Sequence, residues 1–226
     1  MKESSSYQII FFLFGILFLN SCSGGYNKYA DTHYEQGLIF YETMEYNRSI
    51  ESFTKVLELA PYGEENNKVY YNRGQAYFRT RQYDKAIYDF TKSLELTSKK
   101  EMQFTLYRAR GNAWLAEEEY NNAIEDYSNA LSLLPKHADA KYVYDSRAWA
   151  LTKSEQYDEA IEDFSEAIRI DSEFARSYYG RGYVWHKKGD FHRALNDAKE
   201  AHKLKPEVKS YDDLMYEIRS SMKNEE

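Results

Sequence analysis

Four arginines and four aspartates recur in step: Arg73, Arg110, Arg147 and Arg181 are followed sixteen residues later by Asp89, Asp126, Asp163 and Asp197. A guanidinium and a carboxylate join in a two-bond fork, which braces a structure and catalyses nothing. Residues that could catalyse are scarce. The five histidines, His33, His137, His186, His192 and His202, form no pair four residues apart and have no cysteine near them except Cys22, so metal-ligand spacing is missing. There is no Gly-rich phosphate loop and no serine in a nucleophile motif, and paired acids such as Glu162 and Asp163 belong to helix surfaces. This inventory argues against an enzyme, a metal site and a cofactor, and leaves binding as the chemistry open to the chain.

Positioning the couples takes two helices. In Asn67 to Ser98, Tyr70, Gly74 and Tyr77 share one helical spacing and Ala86, Phe90 and Ser93 a second, with a break near Thr80 to Tyr83. The small residue recurs at Gly37, Gly74, Gly111, Ala148 and Gly182, in steps of 37, 37, 37 and 34 residues. Twelve positions after it come Ser49, Ala86, Ala123, Ala160 and Ala194, and four further on Phe53, Phe90, Tyr127, Phe164 and Ala198. Pro61, Pro135 and Pro206 close three of the five units, where proline cannot continue a helix. Small residues at both crossing points let paired helices approach closely, and the Arg–Asp couples predict a brace within each hairpin. The first unit has Gln36 and Ser52 in their place, so both charges vanish together.

This pattern of aromatic, Gly, aromatic, Ala, aromatic, Ala and Pro resembles the tetratricopeptide repeat. The resemblance implies an all-α fold, a right-handed α-solenoid of five helix hairpins over residues 30–206, with repeats at about 30–66, 67–103, 104–140, 141–174 and 175–206. A single hairpin of about 34 residues cannot offset an ordering cost on the order of 50 kcal/mol, so neighbours must stack. The links after Pro61, Ser98 and Pro135 carry three extra residues each, close to one helical turn, which predicts a longer first helix in repeats two to four. Residues 207–226 hold an apolar stripe, Tyr211, Leu214, Met215, Ile218 and Met222, read as a capping helix and tail; Ala198 replaces an aromatic to admit it.

At the other end, the apolar run Ile9 to Leu19 covers 11 residues behind Lys2, about 16 Å as a helix and too short for a ~30 Å hydrocarbon core. It reads as the core of a signal peptide over residues 1–21. Leu19, Asn20, Ser21 and Cys22 resemble a bacterial lipobox, which implies lipidation of Cys22 and a short linker over residues 22–29. An ordinary cleaved signal or an uncleaved anchor would also account for the apolar run. That Cys22 is the only cysteine favours the lipid, because a secreted chain has little use for a lone thiol. Stable anchoring takes more than one acyl chain, which the usual triacyl modification supplies. Ser23 after the cysteine favours the outer membrane by analogy with enteric bacteria.

The resemblance also implies a concave wall built by the first helices. Carried over residue by residue, a peptide-binding groove falls on Lys68, Tyr71, Asn72, Gln75, Phe78 and Arg79 of repeat two, and on Arg108 and Asn112 of repeat three. It continues through Tyr142, Trp149 and Lys153 of repeat four and Arg176, Tyr179, Tyr183, His186 and Lys187 of repeat five. Asp145, Ala109 and Gly180 occupy inward positions as well. Repeats two to five set six basic residues against one acid there, within a chain of net charge -7. Rings supply area and cations fix carboxylates or backbone, which suits a peptide; ordinary solvated helix faces are the alternative. Lys68 with Asn72 and Arg108 with Asn112 resemble a carboxylate clamp, without the full set in order.

The net charge of -7 argues against nucleic acid as a partner. The function expected is that of a membrane-anchored adaptor binding proteins or peptides in the bacterial cell envelope. A structural subunit of an envelope or secretion assembly, using its convex face, is the alternative. A glycan-capture lipoprotein on the same repeats is disfavoured, since no gap leaves room for the long insertions of such proteins.

Overall fold

The computed structural model describes residues 28–224, so the expectations for the signal peptide and Cys22 lie outside it. The described residues fold into eleven helices. They are α1 (residues 28–42), α2 (Tyr46–Leu59), α3 (Asn66–Arg79), α4 (Tyr83–Glu95), α5 (Lys100–Ala116), α6 (Tyr120–Leu133), α7 (Ala140–Lys153), α8 (Tyr157–Ile170), α9 (Ala175–Lys187), α10 (Phe191–Leu204) and α11 (Lys209–Lys223). Each of the five hairpins is an odd-numbered helix followed by an even-numbered one, and α11 closes the order. The chain divides at Thr97 and Ser98 into two compact units, α1 to α4 and α5 to α11. Within each unit, helices adjacent in sequence pack on one another.

Amphipathicity differs between the two helices of a hairpin. The second helices bury one stripe, such as Ala86, Ile87, Asp89, Phe90 and Ser93 of α4. First helices are sandwiched and buried on several sides. In α7 the buried set is Ala140, Val143, Asp145, Ala148, Ala150, Leu151 and Thr152, which meets α6, α8 and α9 at once. The crossing is tight where the spacing places its small residues. A Cβ on Gly37 would sit 2.7 Å from the Phe53 ring, and one on Gly74 or Gly111 would sit 2.8 Å from Phe90 or Tyr127. Ser49, which replaces Ala in the first hairpin, is fully buried and donates its hydroxyl to the Gly37 carbonyl at 2.8 Å, so the substitution leaves no polar group unmet.

Two features differ from the sequence reading and a third follows it. Only α5 is lengthened among the first helices of repeats two to four, at 17 residues against 14 in α3 and α7. The links that contain Pro61 and Pro135 put their extra residues into turns instead, closed by Gly63 N–H on the Ala60 carbonyl and His137 N–H on the Leu134 carbonyl. The link without a proline passes them to its helix. Second, α1 already includes residues 28 and 29, inside the stretch assigned to a linker. Third, α11 occupies Lys209–Lys223, and Leu214, Met215 and Ile218 pack on Ala194 and Ala198, which is the room the small residue at 198 provides.

Each hairpin turns through a left-handed residue. Met44, Arg81, Glu118 and Glu155 have φ of 62°, 59°, 62° and 61°, and Gly189 has 80°. The next amide reaches back five residues, as Glu119 N–H does to the Trp114 carbonyl at 2.9 Å. Four of the five turns therefore hold a side chain where glycine is free of strain. Glu118→Gly is expected to raise the unfolding free energy by about 1 kcal/mol, the relief of the left-handed cost less the added entropy of the unfolded chain. Gly189→Ala, whose new Cβ meets nothing within 4 Å, should lower it by a similar amount. Urea unfolding of both variants measures the pair, and equal signs would exclude a backbone origin.

Candidate functional site

The four Arg–Asp couples all close into forks. Nε and Nη2 of each arginine donate to the two carboxylate oxygens at 2.8 and 2.8 Å (Arg73–Asp89), 2.8 and 2.7 Å (Arg110–Asp126), 2.7 and 2.7 Å (Arg147–Asp163) and 2.8 and 2.8 Å (Arg181–Asp197). Arg73, Arg147 and Arg181 also donate from Nη1 to a hydroxyl on the preceding second helix, on Thr54, Ser128 and Ser165 respectively. A tyrosine three residues earlier lies beside each guanidinium at 5.6 to 5.7 Å from the ring centre. Burial pushes the carboxyls of Asp89, Asp126 and Asp163 up, against the downward pull of their arginines. These groups are structural. Their tyrosine partners recur at a fixed offset and their hydroxyl partners 19 or 16 residues earlier, but neither carries a signal until the couples are placed.

Most cations of the expected groove are engaged inside the fold. In the first unit, Lys68 pairs with Glu65, Arg79 donates to the Tyr41 hydroxyl at 3.3 Å and Asn72 donates to the Tyr34 hydroxyl at 3.0 Å. Gln75 donates to the Tyr71 hydroxyl, and Phe78 lies against Tyr83. In the second unit, Arg108 pairs with Asp139 at 2.9 Å, and the Asn112 amide oxygen accepts from the buried Tyr127 hydroxyl at 2.7 Å. The two i, i+4 pairs that resemble a carboxylate clamp thus have other partners, and that reading is set aside. Asp145, Ala109 and Gly180 are buried beneath the helix surface. Asp145 accepts from Ser177 at 2.7 Å and faces Arg176 at 3.0 Å, while burial raises its carboxyl. Tyr142 packs edge-on against Phe174, and His186 Nε2 lies 3.1 Å from the Ser221 hydroxyl of α11.

The remaining residues gather in one place. Trp149, Thr152 and Lys153 of α7, Tyr157 of α8, and Tyr179, Tyr183 and Lys187 of α9 line a cleft of about 260 Å³. The Trp149 ring stands edge-on to Phe164 at 5.5 Å and lies 6.0 Å from both Tyr179 and Tyr183. Its indole nitrogen is buried and has no acceptor among the described residues. Lys187 reaches to 5.4 Å from the Tyr183 ring centre. Among the described residues neither Lys153 nor Lys187 has a carboxylate partner, and both are exposed. Burial and the nearby acid Glu217 push the Tyr179 phenol up, so it stays a neutral donor. The cleft can hold an apolar group on its rings and an anion on its lysines. Tyr157 escaped the sequence reading because only first-helix offsets were carried over. The aromatic that opens each second helix, Tyr46, Tyr83, Tyr120, Tyr157 and Phe191, was the available signal.

Tetratricopeptide-repeat family models match residues 30–62 and 68–98, and a TPR repeat model matches residues 150–189. The chain carries tetratricopeptide repeats, a fold of protein–protein interaction and in general a non-catalytic scaffold. Comparison with curated proteins finds no match. Among solved structures, a tetratricopeptide repeat protein from Parabacteroides merdae ATCC 43184 is 17% identical, with 86% of this chain and 74% of that one covered at a TM-score of 0.75. MamA from Desulfovibrio magneticus RS-1 is 19% identical, covering 79% and 96% at 0.70. YrrB, described as a TPR protein with an unusual peptide-binding site, is 20% identical, covering 83% and 90% at 0.67. At these identities the likeness is one of fold.

Proposed function

We propose that this repeat protein is a lipid-anchored adaptor of the bacterial cell envelope that captures a protein or peptide in the cleft between α7 and α9. One observation carries the choice of site. Of the six basic residues on the first-helix wall, Lys153 and Lys187 are the two that neither pair with a carboxylate nor donate to a tyrosine hydroxyl, and both flank the ring cluster of Trp149, Tyr179 and Tyr183. Cations without internal partners lose no ion pair when a ligand arrives, and rings on rigid helices contribute area at low ordering cost. The peptide-binding description of YrrB supports a ligand of this kind. The lipid rests on the sequence from Ile9 to Cys22. It would fix the adaptor at its membrane, with the outer membrane favoured by Ser23.

In-cell photo-crosslinking tests the reading, with the probe placed at Tyr179 in the cleft or at Glu162 on α8. A partner caught from Tyr179 and not from Glu162 supports capture in the cleft. Capture from Glu162 alone identifies a subunit of a fixed assembly and overturns it. Lys153→Glu with Lys187→Glu is expected to weaken capture from Tyr179 by about tenfold or more, a loss of some 1.4 kcal/mol. Thermal stability should stay nearly level, because neither lysine has a carboxylate partner to lose.

A further inference from the structure

The first unit contains a larger cleft, about 530 Å³, between α1, α2 and the link into α3. Comparison with another junction of the same chain explains why it is open. Where α5, α6 and α7 meet, Phe104 is fully buried, His137 of the link lies 4.3 Å from its ring centre, and Leu134 packs beside them. Where α7, α8 and α9 meet, Phe174 of the link fills the space against Tyr142. Two repeat periods map Phe104, Leu134 and His137 onto Ala30, Ala60 and Gly63. All three fillers are reduced to a methyl group or less, and all three small residues line the cleft.

What surrounds this slot is mainly acidic, and the one lysine that lines it, Lys68, is paired with Glu65. Its floor is Ala30, Val56, Ala60 and Val69. On its rim stand Asp31 and Glu64, exposed and without a cationic partner among the described residues, together with Glu65, which Lys68 neutralises. Asn66, 4% exposed, also lines it. Its amide N–H donates to the Ala60 carbonyl at 2.8 Å, and its amide oxygen has no donor among the described residues. The site therefore offers an aromatic-sized apolar space, two free carboxylates and one open amide-oxygen acceptor. A ligand filling it must supply a ring, a positive charge and an N–H.

We infer that this cleft is a second binding site, distinct from the one between α7 and α9, for a segment of another protein that presents an aromatic side chain next to a lysine or arginine. The ring takes the space that Phe104 and His137 occupy at their own junction. The cation meets Asp31 and Glu64, and a backbone or side-chain N–H meets Asn66. The two sites then select opposite charges, so the chain would hold two chemically different segments.

Fluorescein-tagged Lys-Phe-Lys and Glu-Phe-Glu amides, titrated with the full chain and read by anisotropy, test this. Lys-Phe-Lys is expected to bind with a Kd below about 1 mM and at least tenfold tighter than Glu-Phe-Glu. Ala30→Phe with Gly63→His and Asn66→Ala transplants the filled junction into the first unit. It leaves every rim acid in place, so a tenfold or greater loss of binding reads the slot and not bulk attraction to an acidic chain. Thermal stability of this variant should hold or rise. Asp31→Lys with Glu64→Lys, which leaves the floor untouched, should reverse the preference between the peptides. Equal binding of the two peptides, undiminished binding by the refilled variant, or no binding of Lys-Phe-Lys, as when another segment of the chain fills the slot, each overturns the inference.

Discussion

Arg147→Met is expected to lower the unfolding free energy by about 3–5 kcal/mol, because it strands a carboxylate that the fold has removed from water. Asp163 is 7% exposed and both its oxygens accept from Arg147, at 2.7 Å each. The same substitution frees the Ser128 hydroxyl, which accepts from Arg147 at 2.9 Å. Arg147→Met with Asp163→Leu removes both charges and fills the space. It should recover most of the loss, since a buried ion pair replaced by apolar groups of similar volume is often neutral or stabilising. Recovery separates a brace whose members must be present together from one that contributes large net stability. A double variant as unstable as the single one would assign the energy to the pair itself.

The pH dependence of the single variant supplies an independent readout. In the native chain, burial pushes the Asp163 carboxyl up while Arg147 pulls it down. Without Arg147 only burial remains, and the carboxyl moves further up. A group whose folded pKa exceeds its unfolded one contributes stability that is fully present below the unfolded value and lost as pH rises through the folded value. The deficit of Arg147→Met against the native chain should therefore be widest near pH 7 and narrow on acidification toward pH 5, measured by urea unfolding at each pH. The double variant lacks the carboxyl and should show no narrowing from this site.

These couples were legible in the sequence because both members recur at one offset in four copies and are missing together from the first. The same holds for Gly37, Gly74 and Gly111, whose type and period encode a close crossing. Features that depend on one residue's context were not legible. The lengthening of α5 follows from a link that lacks proline. The left-handed turns at Met44, Arg81, Glu118 and Glu155 carry no glycine to announce them. The groove was half legible for a related reason. Helical offsets place Arg108, Arg79 and Lys68 on a face, but whether each cation is free depends on Asp139, Tyr41 and Glu65, two of which lie on other elements 31 and 38 residues away. Only Lys153 and Lys187 keep the freedom that a surface pattern suggests for all.

Gly180→Ala is expected to cost about 1–3 kcal/mol, the usual penalty of overpacking, and to disturb the α7–α9 cleft as well. In hairpins one to three, Phe53, Phe90 and Tyr127 press on a glycine of their own first helix. The fourth has Ala148 there, so a methyl group already stands where the ring would rest. Phe164 leans instead on the neighbouring α9 at Gly180, where an added Cβ would lie 2.5 Å from the ring Cε1, closer than at any other described glycine. Positions equivalent to Gly180 in α3, α5 and α7 carry Asn72, Ala109 and Ser146, so the glycine has moved from one side of the ring to the other. Ala148→Gly alone should cost about 1 kcal/mol through helix propensity. Combined with Gly180→Ala it reopens the original side, and the double variant should be more stable than the sum of the two losses by at least about 1 kcal/mol. Strict additivity would mean that the ring does not choose between the helices. Because Phe164 stands edge-on to Trp149, and Tyr179 precedes Gly180, the ring's position sets the floor of the cleft. Capture from Tyr179 should therefore fall in Gly180→Ala and return in the double variant, which ties a single methylene-sized exchange in the core to the binding surface above it.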